Sequence, residues 1–130
     1  IAQKTKSPVL LITDIERGGA FASIVGTMEL IEKKYVELVK GFIINKFRGD
    51  IEILKPGYKK LKQKTGLSVF GTIPMTDFEI PDEDSIGNSP KNLNWNNSNL
   101  KKLDTEINKI AKVVKSSLNI RQVEKLLKWF

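Results

Sequence analysis

The chain has 130 residues, 22 Lys and Arg against 15 Asp and Glu, no Cys and no His, and a formal net charge of +7. That length fits one domain rather than two, and a 40% hydrophobic fraction is enough for a core if every element is present. The missing Cys and His remove the thiolate nucleophile, Ser-His and Cys-His pairs, an imidazole base, disulfides and Cys/His zinc sites, leaving carboxylates, Lys and Arg, hydroxyls, backbone amides or a bound hard cation.

No apolar run approaches the roughly 20 residues of a membrane span, and IAQKTKSP lacks the charged head and apolar stretch of a secretory signal. The expectation is a cytoplasmic protein without a membrane partner, and the opening Ile1 points to a processed chain or a piece of a longer one. Charge is segmental: 13 basic and 7 acidic side chains in residues 1–75, 1 and 5 in 76–99, and 8 and 3 in 100–130, for +6, −4 and +5. This argues against a continuous nucleic-acid stripe, and the Lys-rich run from Lys55 to Lys64 reads as a solvated helix face.

In chain order, PVLLITD from Pro8 reads as a nearly continuous apolar strand, of the kind buried on both faces of a parallel sheet. FASIVGTMELIEKKY follows, with Phe21, Ile24, Val25, Met28, Ile31 and the neighbouring Leu30 recurring at helical spacing. GFIINK at 41–46 is a second strand, KPGYKKLKQKTG a helix with Pro56 in its first turn and Gly66 after its end, and VFGTIP at 69–74 a third strand. Strands joined by such crossovers predict an α/β fold, a partial doubly wound parallel sheet, since three strands are fewer than the five or so of a full domain.

After Pro74 the composition changes: residues 75–99 hold five acids and two prolines, and six of the last twelve are Asn. This reads as loop and linker. Leu100, Leu103, Ile107, Ile110, Ala111, Val114 and Leu118 then form one helical stripe, and a short helix with Asn119 as N-cap and Val123, Leu126 and Leu127 as its apolar face ends the chain.

Ligands of open α/β sheets bind outside the carboxyl ends of the strands. That rule selects Asp14 to Gly19, Asn45 to Asp50 and Gly71 to Asp77. In DIERGG, Asp14 stands at the strand end, Arg17 offers a planar cation, and Gly18 and Gly19 let the backbone approach a ligand at a helix start; the plain alternative is a capped turn with a flexible bend. In NKFRGD, Asn45 presents a donor and an acceptor together, as reading a purine edge requires. Lys46 and Arg48 can neutralise phosphate or carboxylate, and Asp50 can orient Arg48 or cap the next helix. Asp82, Glu83 and Asp84 can ligate Mg²⁺ or simply solvate a loop, and Trp95 and Trp129 read as core or docking surface. Neither G-x-x-x-x-G-K-[ST] nor G-x-G-x-x-G occurs.

The stretches LLITDIERGGAFASIVGTMEL, GFIINKFRGDIEILKPGYKKLKQKTGLSVFGTIP and IPDEDS resemble the cobyric acid synthase family, glutamine-dependent amidoligases of cobalamin biosynthesis. The resemblance runs over residues 1 to about 87, and LKKLDTEINKIAKVVKSSLNIRQVEKLLKW is similar to the family's last helices, which follow its glutamine amidotransferase domain. It implies residues 1–87 as the later half of an ATP-dependent synthetase domain of the P-loop dethiobiotin-synthetase-like type, 88–99 as an Asn-rich linker, and 100–130 as a helical tail. The family uses ATP and Mg²⁺ to turn corrinoid carboxylates of adenosylcobyrinic acid a,c-diamide into acyl phosphates, and amidates them with ammonia from glutamine.

The resemblance assigns Asp14 and Arg17 to the catalytic DxxRGG segment, with Gly18 and Gly19 beside the phosphates and the corrinoid. It places Asn45, with Gly71 and Pro74 of the adjacent turn, at the adenine. Lys46 as a nucleotide contact, and Arg48 and Asp50 as substrate or phosphate contacts, follow from charge and position. The implied chain is part of an enzyme, inactive alone, completed by a P-loop segment or by a second copy. A non-catalytic interaction module is the other reading that the residues leave open.

Overall fold

The computed structural model describes residues 1–79 and 97–127. A short helix, α1 (Ala2–Thr5), precedes β1 (Val9–Asp14), α2 (Ala20–Leu30), α3 (Lys33–Val36), β2 (Val39–Phe47), a 3-10 turn (Ile51–Leu54), α4 (Lys55–Thr65) and β3 (Val69–Pro74); α5 (Asn97–Ser117) and α6 (Ile120–Leu127) follow. The Asn-rich stretch up to residue 96, Asp82, Glu83, Asp84, Trp95 and Trp129 lie outside the described residues. Two compact units divide the chain: Ile1–Met75 with Ser117–Phe130, and Thr76–Ser116.

The first unit holds an α/β fold with three parallel strands in the order β1-β2-β3, as the apolar runs require. Chain order and sheet order coincide, so the sheet winds in one direction, as one half of a doubly wound sheet does. Both long helices lie on one face. Ile24 of α2 and Leu61 of α4 join Val39, Phe42, Ile44, Phe47 and Leu54 in a single buried cluster. Phe42 and Ile44 are fully buried, each removal from water worth about 1.5–3 kcal/mol, and they anchor β2 as the central strand.

Side chains alternate along a strand, so Ile43 points to the opposite face from Phe42 and Ile44; it is 5% exposed, whereas its register partner Ile12 on β1 is 63% exposed.

Two sequence expectations shift at their edges. The expected α2 stripe runs through Ile31, but the helix stops at Leu30: the Ile31 amide makes the last helical bond to the Thr27 carbonyl at 2.9 Å, and its ψ of 133° is extended. The turn keeps Ile31 against the core while Leu30, off the stripe, is 87% exposed. On α5, Leu103, Ile110 and Val114 are half-buried, whereas Leu100, Ile107 and Ala111 are exposed, so the expected stripe is only partly covered.

Capping follows the residue types. Gly66 closes α4 with φ 75°, Asp50 Oδ1 accepts from the Glu52 amide at 2.9 Å to start the 3-10 turn, and Asn119 Oδ1 accepts from the Gln122 amide at 3.2 Å at the start of α6. The lysines of α4 are exposed, as a solvated face should be. From the same helix the Tyr58 hydroxyl hydrogen-bonds the Thr72 hydroxyl of β3, which is 4% exposed, and the Tyr58 ring meets Phe21 of α2 with centroids 6.3 Å apart.

In the second unit, residues 77–79 are tied to α5. Lys109 Nζ donates to the Asp77 carbonyl at 2.9 Å and lies over the Phe78 ring, and the Glu79 amide donates to Glu106 Oε2 at 3.2 Å.

Candidate functional site at the carboxyl ends of β1 and β2

The last pair in the β1–β2 register is Asp14 with Asn45, so the ends of the two motifs are neighbours. Pairing continues one residue further, the Ile15 amide donating to the Asn45 carbonyl at 3.0 Å. The chain then turns back on itself. Asp14 Oδ1 accepts from the Glu16 amide at 2.9 Å, and the Gly18 amide donates to the Ile15 carbonyl at 3.1 Å. Gly18 and Gly19 have φ of 76° and 69°, and a Cβ on either would meet nothing within 4 Å. Left-handed backbone, rather than space, is what demands glycine at both.

Lys46 departs from what its residue type favours. Between Ile44 and Phe47 β2 advances three residues while β3 advances two, from Thr72 to Pro74, so β2 carries one extra residue there. Lys46 has φ 59°, one of only two non-glycine residues with positive φ among those described. A bulge re-aims side chains, and here the Lys46 ammonium ends 2.8 Å from Asp14 Oδ2. Two residues on, Arg48 Nη2 lies 3.3 Å from Glu16 Oε1. Ile15, Glu16, Lys46, Phe47 and Arg48 line a pocket of about 230 Å³.

The Lys46 ammonium, hydrogen-bonded to the Asp14 carboxylate, holds that group below the usual carboxylate range; the Glu16 amide and the nearby charge of Arg17 act in the same direction. Both oxygens of Asp14 are therefore engaged. Four charged side chains form two neutral pairs beside the half-buried Asn45. Exposed pairs of this kind are weak, being screened by water and salt, so an anion arriving at the strand ends can take over Lys46 and Arg48 at low cost.

The structure thus brings together Asp14, Asn45, Lys46 and Arg48, with Arg17, Gly18 and Gly19 in the same loop as Asp14. Asp50 is engaged as the cap of the 3-10 turn, and the carboxylate that meets Arg48 is Glu16. Sequence reasoning passed over Glu16; its place two residues after Asp14, across from Arg48, is the signal that could have found it. Pro74 pairs in register with Phe47, whereas Gly71 pairs with Ile43, two residues below Asn45. Among the described residues no group of three or more His, Cys, Asp or Glu is placed to hold a metal ion, and no helix is long and apolar enough to cross a membrane.

No family model matches the chain, and no solved structure matches it. Curated proteins do. A probable cobyric acid synthase of Methanosarcina barkeri is 52% identical over 95 residues, 73% of this chain and 20% of that protein. One of Thermococcus kodakarensis is 50% identical over 91 residues, 70% of this chain and 19% of that protein. A cobyric acid synthase of Desulfitobacterium hafniense is 51% identical over 87 residues, 66% of this chain and 17% of that protein. The chain therefore matches part of a cobyric acid synthase, and it spans about a fifth of the length of the curated relatives it matches.

Proposed function

We propose that the sheet unit is part of the ATP-dependent, carboxylate-activating half of a cobyric acid synthase, acting in cobalamin biosynthesis on corrinoid carboxylates. The observation that carries this reading is the bulge at Lys46, which stations one cation against Asp14 and the next, Arg48, against Glu16, directly beside Asn45. In this reading the sheet belongs to the P-loop dethiobiotin-synthetase-like type. Asn45 reads the adenine edge with Pro74 nearby, Lys46 and Arg48 take up phosphate or substrate carboxylate, and Mg²⁺ enters with the nucleotide.

The chemistry asks little proton handling of the protein. A carboxylate with an ordinary pKa near 4 is already ionised at neutral pH and attacks the terminal phosphoryl group without a base. What it needs is relief from the repulsion between the anionic nucleophile and the nucleotide, and preorganised cations supply that as charge is redistributed in the transition state. A chain without His suits this half-reaction. Ammonia release from glutamine, which the resemblance attributes to a Cys nucleophile with a His, belongs to another part of the enzyme.

A chimera tests the proposal. The matching segment of the Methanosarcina barkeri relative is replaced by that of this chain, and ATP-dependent amidation of the corrinoid is followed. Activity should survive the exchange, Asn45→Ala should raise KM for ATP, and Lys46→Met should lower kcat. A folded chimera in which both variants leave kcat and KM unchanged would refute the assignment. The isolated chain is one part of the machinery, so micromolar binding of ATP–Mg²⁺ to it alone would contradict the need for the rest.

A further inference from the structure

The outer edge of β3 is occupied by residues from the far end of the chain. Gly71 forms an antiparallel bridge with Leu118, and the Asn119 amide donates to the Phe70 carbonyl at 2.8 Å. The contact is backbone against backbone: a Cβ on Gly71 would stand 2.1 Å from the Ser117 carbonyl oxygen and 2.8 Å from the Leu118 Cα. No rotamer change relieves such a clash, because neither atom belongs to a side chain. Asn119 serves twice, its amide closing the bridge and its Oδ1 and carbonyl accepting from the Gln122 amide at the start of α6.

We propose that the β3 edge is a docking surface whose occupant is the chain's own segment Ser117–Leu127, with Gly71 as its seat, and that this segment completes the sheet unit. Three observations support the choice of occupant. The segment groups with Ile1–Met75 and not with the residues just before it. Its bridge lies where β3 has no strand partner, since the strand order ends there. Gly71 is not needed for backbone conformation, as its φ is not in the left-handed range, so the lack of a side chain serves the close approach alone. The inference is independent of what the strand ends bind: it gives Gly71 a role whether or not adenine lies nearby.

Amide hydrogen exchange on the full chain tests it, with Gly71→Ala and Asn119→Pro as probes and Gly26→Ala, where a Cβ meets nothing within 4 Å, as control. In the parent chain the Asn119 amide should be protected together with those of β3. Gly71→Ala should speed its exchange at least tenfold and open the segment around residue 118 to protease, while the Phe42 and Ile44 amides of the central strand stay slow. Asn119→Pro removes the donor without touching β3, together with the Oδ1 cap of α6; it should expose the same segment, and the double variant should lose no more stability than Asn119→Pro alone, because Gly71→Ala breaks only the bridge that Asn119→Pro already breaks. An Asn119 amide as slow in Gly71→Ala as in the parent, or strictly additive losses in the double variant, would overturn the proposal. The nucleotide measurements on the chimera are unaffected by either result, so the two readings fail separately.

Discussion

Lys46 Nζ and Asp14 Oδ2 stand 2.8 Å apart across the ends of two neighbouring strands, and the backbone of Lys46 is what brings them together. A left-handed residue with a side chain stores about 1–3 kcal/mol of strain, which the surrounding sheet sustains. Strain of this sort is expected where a side chain has a task.

Lys46→Gly removes both strain and charge. We expect it to keep the fold with stability equal to the parent's or higher by up to about 1 kcal/mol, the relief being partly offset by the looser unfolded chain. Lys46→Val, β-branched in the same conformation, should lose about 1–2 kcal/mol. Urea unfolding of both variants decides this; a Gly variant less stable than the Val variant would show that the left-handed backbone costs nothing.

Asp14 gives a pH signature. Its carboxyl is held below the ordinary value of 3.8, chiefly by Lys46, so its contribution to stability is present above that value and fades as the pH falls through the lower folded-state midpoint. In carbon NMR titrations the Asp14 midpoint should lie below 3.8 in the parent and rise toward it in Lys46→Met. Equal midpoints in the two proteins would show that the ion pair does not form in solution.

The Tyr58–Thr72 hydroxyl pair ties α4 to β3. Tyr58→Phe leaves the Thr72 hydroxyl, in a residue only 4% exposed, without that partner and should cost about 1–3 kcal/mol. Adding Thr72→Val removes the stranded hydroxyl and should recover most of the loss. A double-mutant cycle by thermal or urea unfolding reads the coupling, and independent, additive losses would contradict it.

Gly57 and Phe21 are matched in shape between α4 and α2. A Cβ at Gly57 would come within 2.7 Å of the Phe21 ring. Gly57→Ala gains about 1 kcal/mol of helix propensity, but overpacking costs about 1–3 kcal/mol, so a net loss is expected. Phe21→Leu should make the same Gly57→Ala change stabilising. Stabilisation by Gly57→Ala in the parent background would mean that the ring moves aside freely.

The residues that declared the fold were those with a periodic or conformational obligation. Apolar runs without alternation marked the three strands, but only β2 is buried on both faces; β1 leaves Ile12 exposed. Pro56 and Gly66 marked the ends of α4, and Asp50 and Asn119 marked caps. The site was legible in part: DIERGG and NKFRGD follow strands, and strand ends are where such sheets place ligands. Its geometry was not legible. Lys is not a residue that favours positive φ, so the bulge at Lys46 leaves no trace in residue type. Glu16 gains meaning only from its ion pair with Arg48 on the neighbouring strand end, and Gly71 only from residues more than forty positions away. Contacts of long sequence separation leave no periodic signal in a single chain.

The winding order of the sheet limits how it can be extended. With Leu118 and Asn119 on the β3 side, a further strand has one place left, beside β1. Crossovers keep one hand, so the direction in which such a strand is reached decides where its connecting helix falls. Steps continuing the β1-to-β3 direction add to the face already covered by α2 and α4. A step in the reverse direction delivers a helix to the other face, the one Ile12 shares with Ile43, so a strand reached that way would bring a covering helix to the exposed Ile12.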